Sequence, residues 1–334
     1  MAGFRNIFIK STFLISKFIS PIFLQKISKQ ALIFPFYHSI SNETLPHISH
    51  LYKIKNSKQF EKDLEFLLKY YQPISYYQFD FHLKNKKPLN KPSFLLSFDD
   101  GLSEFYHIIA PILLKKGIPA ICFLNDAFID NKDLFYRYKT SLLIGEYIKT
   151  PSIFKSDEYK TSNFIKYLQQ LKYKDKHLLD KIASDIGFDF TTYLNKQKPY
   201  LTGDQINSLI EDGFYFGSHS FDHPEYQHLD INQQLKQTIN SIDNICTRFN
   251  LNYRIFSFPF TDYNVSKQFF DRITLDGNIQ YTFGTAGQKK DSATNNYQRI
   301  PLEMSKLTAR EIINSELLYY ITKEIIGNNT IKRE

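Results

Sequence analysis

A chain of 334 residues with 42% hydrophobic and 23% charged residues has room for one large α/β domain, and this balance excludes wholesale disorder. The net charge of +8 comes from lysines scattered among acids, with no basic block and no nucleic-acid motif, which argues against a nucleic-acid partner. Cys122 and Cys246 are too few for a disulfide framework and read as free thiols in a reducing compartment.

Residues 1–30 are rich in Ile, Phe and Leu, but Lys10, Lys17 and Pro21 interrupt them, whereas a spanning helix needs about 20 apolar residues in a row. The single apolar core and small-residue cleavage site of a secretory signal are also lacking. This basic, aromatic-rich segment either lies in a membrane interface or packs on the domain. The expected location is the cytoplasm or the periphery of the inner membrane, with export left open.

Beyond it, short apolar runs alternate with amphipathic stretches, the pattern of a parallel β/α protein. LIFPFY (32–37) is the first candidate strand, and residues 58–71 follow as a helix with Phe60, Leu64, Leu67, Leu68 and Tyr71 on one face. SFLLSF (93–98) runs directly into Asp99, Asp100 and Gly101. The stretch from Ser103 to Lys116 is helical, with Pro111 kinking or restarting it, and PAICFL (119–124) is a buried strand. Almost ninety residues separate that strand from FYFGS (214–218), more than one crossover helix requires. Residues 126–200 therefore read as a helical insertion placed to shape a substrate cleft. Thr202 with Gln205 opens a helix by a capping box, Asp230 caps another, and Thr308 with Glu311 forms a second box. IFSFPF (255–260) and YTFGT (281–285) are further strands, and residues 326–334 read as a tail. No repeat or low-complexity linker marks a second domain.

The chemistry gathers at two strand ends. Adjacent residues at the end of a strand point in different directions, so one of Asp99 and Asp100 can ligate a metal while the other faces a reacting water. After FYFGS come His219 and His223, separated by three residues in HSFDHP, and two such imidazoles can converge on one cation. With Asp100 they make three protein ligands beside an open position, as in catalytic zinc sites. Taken alone, Asp-Asp-Gly is also an everyday turn, and His107, His177 and His228 read as surface histidines. In a parallel barrel the active site collects at the carboxyl ends of strands, so the two segments reinforce each other.

SFDDG (97–101) and HSFDHP (219–224), with the flanking AICFL and LTGDQINSLIEDGFYFGSHS, resemble the polysaccharide deacetylases of the NodB-homology type, carbohydrate esterase family four, over roughly residues 93–285. Their motifs read Thr/Ser-Phe-Asp-Asp-Gly and His-Ser/Thr-x-x-His-Ser/Pro. The resemblance implies a distorted (β/α) barrel of about seven parallel strands, carried by residues 31–325. It implies a metal-dependent hydrolase that removes an acetyl or similar small acyl group from the nitrogen of an amino sugar, in a glycan or a lipid-linked sugar. By the same likeness Asp99 is the general base, and Asp100, His219 and His223 hold one divalent cation, usually zinc. Such a cation acidifies water, so a neighbouring carboxylate can take its proton.

Two departures follow. The family's third motif carries an arginine that orients the catalytic aspartate, and here FSFPFTDYN (256–264) has Ser257 in its place. Pro259 still leads into Phe260, whose backbone N–H can serve as an oxyanion donor. The family's C-terminal leucine-histidine pair is also missing, since no histidine follows His228. Members of the poly-N-acetylglucosamine deacetylase-like branch carry the equivalent strand at the N-terminus, ending in Tyr-His. IFPFYHS (33–39) resembles it and puts His38 in the general-acid role. RIPLE (299–303) is a candidate to close the barrel, with the entry of Arg299 or Glu303 into the site left open. The alternatives are a catalytically weak or inactive carbohydrate-binding barrel, favoured by Ser257, or a sugar O-acetyl esterase or deformylase with the same site.

Overall fold

The structure is a computed structural model that describes residues 2–156, 159, 163–303 and 307–334. The apolar runs become strands of one sheet: β1 (Pro35–Tyr37), β2 (Leu96–Phe98), β3 (Ala120–Leu124), β4 (Tyr215–Ser218), β5 (Ile255–Ser257), β6 (Tyr281–Gly284), β7 (Asn296–Gln298) and β8 (Ile300–Pro301). Their spatial order is β7-β6-β5-β4-β3-β2-β1-β8, and every pairing is parallel. The two edge strands are consecutive in the chain, with only Arg299 between them. One bent segment thus pairs with β6 on one side and β1 on the other, and closes the sheet into a distorted (β/α) barrel. Counted as one strand, it brings the total to seven, and RIPLE closes the barrel as its position predicts.

LIFPFY and SFLLSF each break in the middle. Leu32–Ile33 and Ser93–Phe94 join Gln72–Pro73 in a small parallel sheet, while the second halves enter the barrel. A run that is continuous in sequence can serve two sheets, and apolar patterning does not mark where the partner changes. Within the barrel the alternation of strand residues does the sorting. Leu96 and Phe98 pack against helix residues such as Phe60, Leu64 and Ile313. Ser97 and Asp99 face the other way, towards the interior that Phe34, Ile121, Phe123 and Phe283 fill from below.

Seven helices position the site: α1 (Ala2–Ser16), α2 (Pro21–Ser28), α3 (Ser57–Tyr70), α4 (Tyr136–Lys149), α5 (Gly203–Glu211), α6 (Ile231–Arg248) and α7 (Ala309–Ile325). α3 buries Phe60, Leu64 and Leu67, but Leu68 is 38% exposed and Tyr71 lies just past the helix end. α5, α6 and α7 open with the capping boxes Thr202–Gln205, Asp230–Gln233 and Thr308–Glu311. Each such cap contributes about 1 kcal/mol by satisfying N–H groups that the first turn leaves unpaired. Pro111 restarts its helix: a π-helical turn at Phe105–Ile109 gives way to Ala110–Lys116 with the proline in the first turn.

The insertion is helical where described, with α4, Phe164–Gln170, Lys176–Asp185 and Phe190–Gln197, and Leu143, Phe164, Leu168 and Leu179 give it a core of its own. It is clamped to the turn after β2. Leu102 bridges Tyr200, and the N–H of Leu201 donates to the carbonyl of Gly101 at 2.9 Å. At the other end of the chain Thr330–Ile331 pairs with Lys290–Asp291, and Arg333 forms ion pairs with Asp262 and Asp291. No helix among the described residues is long and apolar enough to cross a membrane.

Candidate active site

Asp99 and Asp100 leave β2, His219 leaves β4, and His38 leaves β1, all at the carboxyl end of the barrel. The turn that aims them is strained. Asp100 (φ 72), His223 (φ 63) and Phe260 (φ 56) all adopt left-handed backbone, which costs a non-glycine residue on the order of 1–3 kcal/mol each. Three such residues around one point mark a place where geometry is held against local preference. Gly101 (φ 63) completes the turn, and a Cβ there would meet Leu124 Cδ2 at 2.8 Å. Only glycine fits.

Asp100, His219 and His223 converge with their ligand atoms within 4.8 Å of one another, all three buried. Asp100 Oδ1 lies 3.3 Å from His223 Nε2 and 3.6 Å from His219 Nε2. Ligands about 2.0–2.2 Å from a tetrahedral zinc stand about 3.4 Å apart, so this spacing fits a cation. The hydrogen bonding fits as well. His219 Nδ1 is 2.8 Å from the carbonyl oxygen of Ser257, which can only accept, so Nδ1 carries the proton and Nε2 the lone pair. Asp100 Oδ2 accepts from the Tyr138 hydroxyl at 2.7 Å, which leaves Oδ1 free. Asp100 Oδ1 and His219 Nε2 are buried without a hydrogen-bond partner, as expected of atoms meant for a metal. Burial pushes the His219 imidazole down to about 4, which keeps it neutral and competent as a ligand.

Asp99 is held by a residue far along the chain. Arg299, fully buried, donates to Asp99 Oδ1 at 2.8 Å and to Oδ2 at 2.7 Å. Its other N–H groups reach Ser97 Oγ at 3.1 Å, Ser257 Oγ and the Gly284 carbonyl. Five donors meet five acceptors. Phe36 lies 4.2 Å below the guanidinium and Phe123 5.4 Å away, adding cation–π contacts. The expectation that Asp99 lacks its arginine is corrected here: Ser257 leaves room for a guanidinium that comes from the barrel closure, and its hydroxyl accepts a hydrogen bond from it. Burial opposes the charge on Asp99, but the Arg299 charge outweighs it and holds the carboxyl below its ordinary value. Asp100 is likewise held well below its ordinary value, with His223 outweighing burial.

Glu303 enters the site too. Its Oε2 is 2.8 Å from His38 Nδ1, and its Oε1 accepts from the backbone N–H of His38 at 2.6 Å and of Ser39 at 2.9 Å. Burial disfavours a charged imidazole at His38, yet the Glu303 carboxylate raises it to about 9. The His38 side chain keeps 27% exposure, so its Nε2 edge remains open to a substrate. Pro259 and Phe260 follow β5, and the Phe260 ring packs 4.6 Å from that of His223. From the insertion, the Phe135 ring packs 4.2 Å from that of His223, beside Phe260. His107, His177 and His228 are exposed and away from this cluster.

The family model for polysaccharide deacetylases matches residues 86–270, more than half of the chain. The chain belongs to the polysaccharide deacetylase family. It is therefore a hydrolase of that type, acting on a carbon–nitrogen bond other than a peptide bond. No curated protein matches the sequence. Among solved structures, it is similar to the Streptococcus pyogenes deacetylase PplD in complex with acetate, at 16% identity and a TM-score of 0.56, over 85% of this chain and 97% of that one. It is also similar to IcaB from Ammonifex degensii, at 12% identity and a TM-score of 0.55, over 86% and 97% of the two chains. At these identities the likeness shows the fold.

Proposed function

We propose that the chain is a metal-dependent N-deacetylase of amino sugars, removing an acetyl or similar small acyl group from the nitrogen of a glycan or lipid-linked sugar. The observation that carries this reading is the pairing of two built carboxylates: Asp99 locked by Arg299, and Asp100 with one free oxygen facing the His219 and His223 imidazoles. A divalent cation on Asp100, His219 and His223, zinc by its ligand types, supplies Lewis-acid polarisation of water and of the acyl oxygen.

The remaining steps belong to this chain's own side chains. Asp99, kept ionised by Arg299, has a second lone pair on each oxygen with which to take a proton from the attacking water. The water oxygen bonds to the acyl carbon, and the Phe260 N–H is assigned to the oxygen that becomes negative. His38, protonated through its contact with Glu303, gives its proton to the departing nitrogen as the C–N bond breaks. The products are a free amine and a carboxylate, and acetate is the ligand in the similar PplD structure. The inactive-barrel reading rested on Ser257, and Arg299 removes its basis.

Acetate release from a panel of N-acetylated glycans, lipid-linked N-acetyl sugars, N-formyl analogues and O-acetylated xylan tests the proposal. Release from an N-acetyl sugar is expected. Hydrolysis confined to the O-acetyl ester would replace the deacetylase reading with an esterase.

A further inference from the structure

α1 has apolar residues on two sides. Its inner side docks on α7: Ile9 and Ser16 are fully buried, Asn314 donates to the Ser16 carbonyl at 2.8 Å, and Arg5 pairs with the buried Glu316. That side alone accounts for the packing of the helix. The outer side repeats at helical spacing and faces solvent. Phe18 is 81% exposed, and Phe4, Ile7, Ile15, Ile22 and Phe23 are between 56% and 65% exposed, across α1, the turn and α2. A contiguous apolar face of this kind marks an interaction site rather than ordinary surface.

Charge decides what covers it. Residues 1–30 contain Arg5, Lys10, Lys17, Lys26 and Lys29 and no acid. Arg5 is neutralised inside by Glu316, so the four lysines remain around the apolar face. A second copy of the chain would set lysine against lysine. An anionic lipid surface matches both features, taking the apolar side chains between its headgroups and the lysines against its phosphates. We infer that the outer face of α1 and α2 docks the protein on an anionic bilayer. The inner side of α1 reaches the catalytic rim: the Arg5 guanidinium donates to the Thr285 carbonyl at 3.4 Å, and the Thr285 hydroxyl donates to the Phe260 carbonyl at 3.1 Å.

Co-sedimentation of the full chain with phosphatidylcholine vesicles, with and without phosphatidylglycerol, tests the inference without any reference to activity. Binding is expected with phosphatidylglycerol, weakening as salt rises. The triple variant Ile7→Glu, Ile15→Glu, Phe18→Glu should lose roughly 100-fold in partition. Lys10→Gln with Lys26→Gln and Lys29→Gln alters only exposed side chains and should lose roughly 5-fold per lysine on the anionic vesicles alone. Both variants should keep the parent's circular dichroism spectrum and its turnover of a soluble substrate. Absence of parent binding to the anionic vesicles, or binding by both variants that is undiminished from the parent's, overturns the inference. So does a parent that sediments as a dimer which the triple variant dissolves, because the face is then covered by a second copy.

Discussion

At Asp99 burial and charge act in opposite directions, and the outcome depends on one guanidinium. A group whose folded value is depressed contributes stability above its ordinary value and loses it as pH falls through the folded one. In Arg299→Met the buried carboxylate loses its partner, burial alone then raises its pKa, and that contribution reverses. Urea denaturation should show a loss of about 3–5 kcal/mol, the usual cost of breaking a buried pair. The acid limb of kcat/KM should move to higher pH; an unmoved limb would separate Asp99 from the reaction. Asp99→Asn should retain metal while turnover falls roughly 100-fold or more, the scale of losing a general base. At His38 the sign is the opposite. Its imidazole is raised to about 9, so its stabilising contribution is full below the ordinary value near ~6.5 and is lost as pH rises through about 9. As the general acid it should give kcat an alkaline limb near that upper value. Glu303→Gln keeps an acceptor for the two backbone N–H groups but removes the charge, so the limb should fall to ~6.5 or below. His38→Ala should damage an amide substrate far more than an activated ester, whose leaving group needs no proton. Equal effects on both would remove His38 from the acid role.

Among the elements, α4 of the insertion matters most for the proposed metal centre. Its Tyr138 hydroxyl occupies Asp100 Oδ2, restricting the carboxylate to one free oxygen, and Phe135 just before it covers His223. Tyr138→Phe keeps the ring and deletes this bond together with the longer 3.4 Å contact to the Tyr52 hydroxyl. Partners of this kind typically contribute 10–100-fold to metal affinity, so a chelator-competition titration should show roughly that loss with the fold intact. Unchanged affinity would reduce Tyr138 to packing. Position 138 carried no signal in sequence, because a tyrosine inside an insertion helix looks like any core residue. The strand-end residues were legible for the opposite reason. SFDDG and HSFDHP each interrupt an apolar run with several polar side chains at once, and the capping boxes at Thr202 and Thr308 and the cap at Asp230 are local patterns that need no tertiary knowledge.

Across the whole molecule, the barrel closes at the residue that completes the site. Arg299 stands between β7 and β8, 200 residues from Asp99, in the polar stretch NNYQRIPLE that shows no apolar run. Patterning therefore found the six apolar barrel strands and left the closing segment as a short candidate, and no local feature showed that its arginine turns inward. The parallel pairing of β8 with β1 also brings Glu303 to His38. One segment thus supplies partners to both the proposed base and the proposed acid. The most direct test of a metal-dependent deacetylase built on this closure is metal content and acetate release measured together. The parent and His223→Ala would be compared after chelation and again after zinc is restored. The account predicts one zinc per parent chain, acetate release that is lost on chelation and regained with zinc, and neither in the variant. Equal metal content in both proteins, or release from an N-acetyl sugar that survives chelation, would contradict it.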